Sequence, residues 1–487
     1  MTPSQNRIVE EARRRFGPQA ALTDAEAIAP WLTDWRGRYH GAAPALLQPG
    51  STAEVAALVA LAAAEAVPLV AQGGNTSMVG GATPPADGSA LVLSLRRMNR
   101  IRGLRAGEGI AVAEAGVILQ HLHEAAAAVD RRFPLTLGAR GSATVGGLVS
   151  TNAGGTQVLR WGTMKALVAG VEAVLADGTV HDGLQPLKKD NRGPDLDALF
   201  VGSEGTLGIV TAAALRIVPA VAARAVAWVG LDDPERALRL LRRLEAATDA
   251  VESFEIIPGD SLALVLRHIP GTRAPLGSEH RWHVLIEAVA MDARAEPPAT
   301  LLERLLADAA DLYDDATLAQ TEAQAGAFWR LRDSLSEAER AEGPAAQHDI
   351  SVPVSVMPRF MVEAAAAAEA RFAGTHATAF GHLGDGNVHF HVRAPAGTDP
   401  QRWYGEQVAE VSAFVHDLVV AAGGSISAEH GIGQMKRDEL ARLGPPARLT
   451  MLHALKMAMD PRGLLNPGKL VAMPRDIDGA GTERPAA

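Results

Sequence analysis

The period of apolar positions changes several times along the chain, and the changes divide it. Residues 4–16 place apolar side chains at helical spacing among charged ones, which predicts a short amphipathic helix. An irregular stretch, TDWRGRYHGAAPALLQPG, leads into Ser51, whose hydroxyl suits a helix N-cap. The run TAEVAALVALAAAEAVPLVAQGGNTS behind it reads as helix, short strand and glycine turn, the alternation of an α/β unit. Between 90 and 184 short apolar runs are cut by glycine, and VEAVLADGTVHDG predicts a hairpin turning at Asp177-Gly178. After Pro219 the texture shifts: over 222–300 the strands VAWVGL and HVLIEAVAM flank one helix around 234–248. From 299 to 341 the pattern is helical throughout, and Gly343-Pro344 stops it. The remainder holds strands, helices and two histidine-rich turns, and no internal repeat is present.

Composition narrows the classes this pattern allows. At about one domain per 100–200 residues, 487 residues give two to four domains. Only 4% of the chain is aromatic although 47% is hydrophobic, so alanine supplies much of the apolar content and helices follow. A net charge of −10 argues against a nucleic-acid partner, which needs a basic face. The absence of cysteine excludes disulfides, thiolate metal sites, iron–sulfur clusters and cysteine nucleophiles, and leaves His, Asp and Glu as metal ligands. The first residues lack the apolar core of a signal peptide and no uncharged run has membrane-spanning length. The expected location is the cytoplasm, at most peripheral to a membrane.

Three glycine clusters stand out: GGNTSMVGG at 73–81, LGARGSATVGGLVSTNAGG at 137–155 and VGSEGTLGIV at 201–210. Each is either a set of tight turns or a nest of backbone N–H groups and small hydroxyls able to meet a pyrophosphate. Neither GDGNVH nor GIGQMK completes G-x-G-x-x-G between a strand and a helix, which argues against a nicotinamide Rossmann domain. In order and spacing the clusters resemble the FAD-binding domain of vanillyl-alcohol oxidase-type flavoproteins. That resemblance implies FAD, with Gly73, Gly74, Asn75, Thr76 and Ser77 at the pyrophosphate. It implies Gly138, Ser142, Thr144, Gly147, Asn152, Gly155, Gly208, Ile209 and Asn466 as further cofactor contacts. No residue matches the histidine that tethers flavin in some relatives, so a non-covalent cofactor is expected.

Two motifs in the second half carry chemistry: GHLGDGNVHFHV at 381–392 and SAEHGIGQMK at 427–436. His382 and His389 flank a glycine-rich turn that lets two imidazoles converge on one ion, and Glu429 offers an oxygen. His391 shares a strand face with His389 and rivals it as a ligand. HxGDGNxH and SxEHGIG are similar to motifs of the D-2-hydroxyglutarate, D-lactate and glycolate dehydrogenase group. The resemblance runs from TDWRGRY at 33–39 to NPGKL at 466–470. It implies a divalent metal on His382, His389 and Glu429, zinc first and manganese second, and His430 as the base. The chemistry is coherent: a Lewis acid lowers the pKa of the substrate hydroxyl, a histidine accepts its proton, and flavin takes the hydride. Asn387 is placed for the substrate or the metal's surroundings, and Lys469 for the flavin.

Arg332 and Ser336 lie four apart on the predicted helix before Gly343 and share its face, and the 2-hydroxyglutarate branch draws an arginine and a hydroxyl for substrate from the matching helix. Against that branch, QHDISVP puts Gln347 where a lysine is common, which weakens the contact to a distal carboxylate. The expected function is therefore FAD- and metal-dependent oxidation of a D-2-hydroxy acid, D-2-hydroxyglutarate first, with D-lactate or another monocarboxylate as the alternative. A metal-dependent hydrolase would leave the glycine clusters without a role, and a non-catalytic flavin-binding subunit would not need the complete histidine set. Expected partners are a small hydroxy acid and an electron acceptor such as an electron-transfer flavoprotein or a quinone, with a homodimer possible.

The fold class implied is α+β: a two-subdomain vanillyl-alcohol oxidase-type FAD-binding domain, an α/β substrate (cap) domain and a C-terminal helical segment. The expected bounds are 1–40 for an N-terminal helical segment, 41–219 for the FAD-binding domain and 220–455 for the substrate and metal-binding domain. Residues 456–472 are expected to return to the FAD domain, and 473–487 to form a disordered tail.

Overall fold

A computed structural model describes residues 1–185 and 187–472, so the tail expected from 473 lies outside the described residues. The chain forms two units, one made of Met1–Ala153, Thr163–Val218 and the chain from His430, the other of Gly154–Gly162 and Pro219–Glu429. The return to the first unit thus begins at His430, earlier than 456, because the EHGIG turn is bonded to that unit's own loops.

In the first unit the predicted amphipathic helix is Pro3–Phe16, opened by a capping box in which Thr2 and Gln5 exchange backbone-to-side-chain bonds. Ser51 caps Thr52–Ala64 as expected, its hydroxyl accepting the N–H of Glu54 at 3.2 Å. Two sheets follow. One orders Ala21–Leu22, Leu46–Leu47, Leu91–Ser94 and Leu69–Gln72, the last three strands parallel. The other is antiparallel and orders Ile101–Arg105, Ile110–Glu114, Ile209–Arg216, Val168–Val174 and Val180–Asp182. The hairpin expected at Asp177-Gly178 joins the last two, with Gly178 at a φ of +89°.

The second unit is built on one antiparallel sheet of seven strands, β1 (Ala223–Leu231), β2 (Val251–Pro258), β3 (Trp282–Ala290), β4 (Asp315–Leu318), β5 (Ala345–Ser351), β6 (His376–His382) and β7 (Asn387–Arg393). Their order is β4-β1-β3-β2-β6-β7-β5. Period-two alternation gives the sheet two different faces. One carries Ala227, Val229, Phe254, Ile256, Val284, Ile286, Val388, Phe390 and Val392 against the helices Pro234–Ala247, Pro298–Asp308, Met357–Arg371 and Val408–Ala421. The other carries Trp228, Leu285 and Phe380 against the helices Gly259–His268, Glu322–Asp333 and Leu335–Glu342, and shares that face with buried polar side chains.

One expectation fails here. The run 299–341 is not helical throughout: β4 interrupts it as an edge strand paired with β1, and Ser334 separates the helices Glu322–Asp333 and Leu335–Glu342. The pairing of Asp315–Leu318 with β1 at the sheet edge, with the β-branched Thr317 within it, outweighs its helical period. Arg332 and Ser336 therefore do not share a helix face. Arg332 ends one helix and Ser336 begins the next.

Candidate active site

The donors that the histidine motifs predict come together. His382, His389 and Glu429 each place a ligand atom within 4.8 Å of the others. Strand pairing explains the first two. His382 ends β6 opposite Asn387, His389 lies two residues further along β7 opposite Phe380, and the turn between the strands closes on Gly386 at a φ of +81°. A Cβ at Gly386 would sit 2.1 Å from the Val352 carbonyl, so only glycine fits. The two rings lie 5.5 Å apart, centre to centre. His391 continues along β7 opposite Thr378 and packs its ring on Phe380, and it is not one of the three converging donors.

Glu255 orients the first of these ligands. It lies on β2 opposite His382, and its Oε1 is 2.6 Å from His382 Nδ1. Its Oε2 accepts Arg332 Nε at 2.7 Å, and Arg332 Nη2 lies 3.1 Å from His382 Nε2. Burial opposes a charge on His382, and Glu255 more than offsets it, raising the ring to about 9. A second ring proton would put two donors face to face at Nε2. A neutral ring with its proton on Nδ1 would accept from Arg332 at Nε2, the same lone pair that a metal ion would take. A carboxylate at Nδ1 that makes Nε2 strongly basic is the usual second partner of a metal-binding histidine.

Asp349 ties the remaining pieces. It faces His389 across β5 and β7, its Oδ2 accepts the Glu429 N–H at 2.9 Å, and its Oδ1 accepts Asn387 Nδ2 at 3.0 Å. Asn387 also donates to the Ile350 carbonyl at 3.0 Å, which leaves its buried Oδ1 without a protein partner. Loss of water, then the charges of Asp349 and Asp385, push Glu429 up to about 7 against the pull of His382 and Arg332. Burial raises Asp385 as well. Glu255 thus acts on His382 and Arg332, and Asp349 and Asp385 on Glu429, a cluster of carboxylates to which a divalent cation would add positive charge. Two imidazoles and one carboxylate fit such an ion with positions left open.

Arg332 is largely buried and committed to Glu255, while Ser336 is half-buried on the following helix. Gln347 pairs with His391 across β5 and β7, on the same sheet face as His389. Glu255 and Asp349 escape motif reading, and Asp385 stands inside HxGDGNxH without an assigned role. The only trace of Glu255 is a carboxylate inside the apolar strand VESFEIIP, where a buried charge requires a partner.

In the first unit the glycine clusters pack on one another. A Cβ on Gly73 would meet Thr144 Oγ1 at 2.1 Å, and one on Gly74 the Ser142 carbonyl at 2.0 Å, so both glycines admit the 142–144 segment. Asn75 takes a φ of +55° and donates Nδ2 to the Thr33 carbonyl at 2.9 Å, while Thr76 and Ser77 are half-buried, Ser77 Oγ accepting the Gly81 N–H at 2.9 Å. Gly138, Ser142 and Gly147 are exposed. Asn152 caps the helix Val145–Thr151 in the left-handed region, and its Oδ1 accepts Thr163 Oγ1 and the Lys165 N–H, both at 2.9 Å. Gly208 packs against the Phe200 ring and Ile209 opens a central strand. Gly155 belongs to the second unit. Thr144 Oγ1 and Asn466 Oδ1 are buried with no partner, and polar atoms in that condition fit a bound cofactor.

A family model for the C-terminal domain of FAD-linked oxidases matches residues 221–470, and one for an FAD-binding domain matches 43–183. The chain belongs to the FAD-linked oxidase family. It is an FAD-dependent enzyme. The mitochondrial D-2-hydroxyglutarate dehydrogenase of Arabidopsis thaliana is 34% identical over 94% of this chain and 80% of its own length. That of Bos taurus is 35% identical over 94% of this chain and 82% of its own. A solved structure of p-cresol methylhydroxylase with bound substrate, 16% identical, covers 97% of this chain and 98% of its own at a TM-score of 0.74. That likeness carries the fold alone: the vanillyl-alcohol oxidase-type, α+β architecture expected from the glycine clusters.

Proposed function

We propose that this family member is a dehydrogenase acting on the CH–OH group of a D-2-hydroxy acid, with D-2-hydroxyglutarate as first substrate. The observation that carries the reading is the convergence of His382, His389 and Glu429 within 4.8 Å, backed by Glu255 on His382 Nδ1. The relatives named D-2-hydroxyglutarate dehydrogenase support the substrate class. Bound FAD supplies the hydride acceptor, and a divalent ion, zinc or manganese, supplies a Lewis acid at the hydroxyl. His382 and His389 offer nitrogen and Glu429 oxygen to that ion. His430, next to Glu429 in sequence, takes the hydroxyl proton as the α-carbon loses its hydride, and the 2-oxo acid leaves. Arg332, already holding Glu255, and Asn387 Oδ1, which has no protein partner, are the groups offered to the substrate carboxylate and hydroxyl, with Ser336 as a further candidate. The glycine clusters, Thr144 and Asn466 hold FAD without a covalent bond. An electron-transfer flavoprotein or a quinone would serve as the separate electron acceptor, and the enzyme works in the cytoplasm.

Gln347 favours a second reading, a D-2-hydroxy monocarboxylate such as D-lactate. Its neutral amide shares the sheet face of His389 and offers no charge to a distal carboxylate. Steady-state kinetics over D-lactate, D-malate and D-2-hydroxyglutarate, for wild type and Gln347→Lys, decide between them. The substitution is expected to improve the dicarboxylate over D-lactate by about 1.5–3 kcal/mol, on the order of tenfold to a hundredfold. No gain would mean that Gln347 does not face the distal end of the substrate.

A further inference from the structure

Within the first unit, one buried glutamate joins its own segment to three others that are far apart in sequence. Glu204, in VGSEGTLG, is 8% exposed and holds a φ of +52°. Its Oε1 accepts the N–H of Ile432 and its Oε2 the N–H of Gly433, both at 2.7 Å. Its own carbonyl accepts Asn466 Nδ2 at 2.7 Å, and the same amide reaches the Gly81 carbonyl at 2.9 Å. Lys436 and Lys469 are the cations that face it. Residues of GGNTSMVGG, EHGIG and NPGKL thereby meet around Glu204, EHGIG on its carboxylate, Asn466 on its carbonyl and Gly81 through Asn466.

The contact that matters is with the turn following His430. Gly431 and Gly433 take left-handed φ values of +79° and +54°. A Cβ at 431 would lie 2.9 Å from Glu204 Oε1, and one at 433 would lie 2.3 Å from the Val79 carbonyl. Positions 431 and 433 carry no side chain, so a carboxylate can approach the first and a carbonyl the second. Gln434 and Met435 then donate their N–H groups to that Val79 carbonyl at 3.2 and 3.3 Å, and Leu470 donates to the Gly433 carbonyl at 3.0 Å. Two adjacent amides that enter neither helix nor strand need acceptors, and a carboxylate meets both with charge-assisted bonds. A glutamine has a single acceptor oxygen and would turn its NH₂ toward the other N–H.

We propose that Glu204 is a positioning residue for His430: by holding the backbone of Ile432 and Gly433 it fixes the turn from which the imidazole departs. The inference rests on the reading of His430 as the proton acceptor. It goes further by assigning the aim of that base to a residue that lies more than two hundred positions upstream and among the flavin-binding motifs. Glu204 acts through the turn and not on the substrate.

The test is a double-mutant cycle on the FAD-loaded enzyme, read as the limiting rate of flavin reduction, with FAD stoichiometry and KM measured alongside. Glu204→Gln is expected to lower that rate about a hundredfold, the scale of a misplaced catalytic group, with KM and FAD content unchanged. In a His430→Asn background the same substitution is expected to cost less than about twofold, since the group it aims is gone. Should Glu204→Gln fail to fold, Glu204→Asp keeps the charge and withdraws it from the two amides, and enters the same cycle. Equal losses in both backgrounds, or loss of FAD from the single variant, would overturn the proposal. His430→Asn alone decides the base reading: an unchanged rate there sinks that reading and the positioning role with it, before any Glu204 variant is made.

Discussion

Strand β7 shows two regions of the molecule one residue apart. Val388, Phe390 and Val392 point to the face where four helices bury them, whereas Asn387, His389 and His391 point to the face that holds the converging donors. The apolar face is close-packed side chains, held by buried area and shape with no polar partners. The polar face is held by specific partners: Glu255 on His382, Asp349 on Glu429 and Asn387, and Arg332 on Glu255. Removing a side chain from the first face costs fold, and removing a converging donor from the second costs function first.

The sharpest way to break this contrast is to truncate neighbouring residues. His389→Ala is expected to empty the enzyme of divalent metal and lower flavin reduction by at least about 10³-fold, because a Lewis acid contributes several kcal/mol to charge stabilisation. Bound FAD and the denaturant midpoint should stay close to wild type, and metal analysis with stopped-flow reduction reads both. Phe390→Ala, next along the strand, should show the reverse. It should lose about 3–5 kcal/mol of unfolding free energy in a denaturant titration, with metal per folded molecule retained.

A smaller effect tests whether polar side chains on the second face also serve the fold. His283 accepts Trp228 Nε1–H on its Nδ1 at 3.1 Å, and burial, with His280 nearby, lowers its pKa to about 4. A histidine normally titrates near 6.5 in an unfolded chain, so the unfolded state takes the proton first. Stability from the neutral ring is therefore complete above that value and is lost as pH falls toward 4, by up to about 3 kcal/mol. Unfolding free energies measured from pH 7 to 4 should fall in wild type and stay flatter in His283→Asn, which keeps an acceptor for the indole.

The smallest change expected is Glu255→Gln, which keeps a hydrogen-bonding group at His382 Nδ1 but removes the charge. Metal affinity, measured by competition with a chelator, should weaken about 10–100-fold. An unchanged affinity would mean that Glu255 serves Arg332 alone.

Much of the site was legible because its residues sit in short, spaced motifs. HxGDGNxH marks a turn that must bring two imidazoles to neighbouring strand ends, and the glycines of EHGIG and GGNTS mark backbone that other groups approach. The helical reading of 299–341 failed because an edge strand of four residues has too little alternation to be seen without its partner β1. The pairing of Arg332 with Ser336 failed with it, since the break at Ser334 depends on how two helices pack under the sheet.

The sequence by itself determined the family, the cofactor class, the alternation of each long strand and which side chains carry chemistry, because these depend on local spacing and residue type. Only the tertiary structure decided which carboxylates stand behind those side chains. Glu255 is 127 residues from His382, Asp349 is 80 from Glu429, and Glu204 is 228 from Ile432. No local period links such pairs. Cross-strand register and loop packing bring them within hydrogen-bond distance, and a buried charge is stable only where that packing supplies its partner.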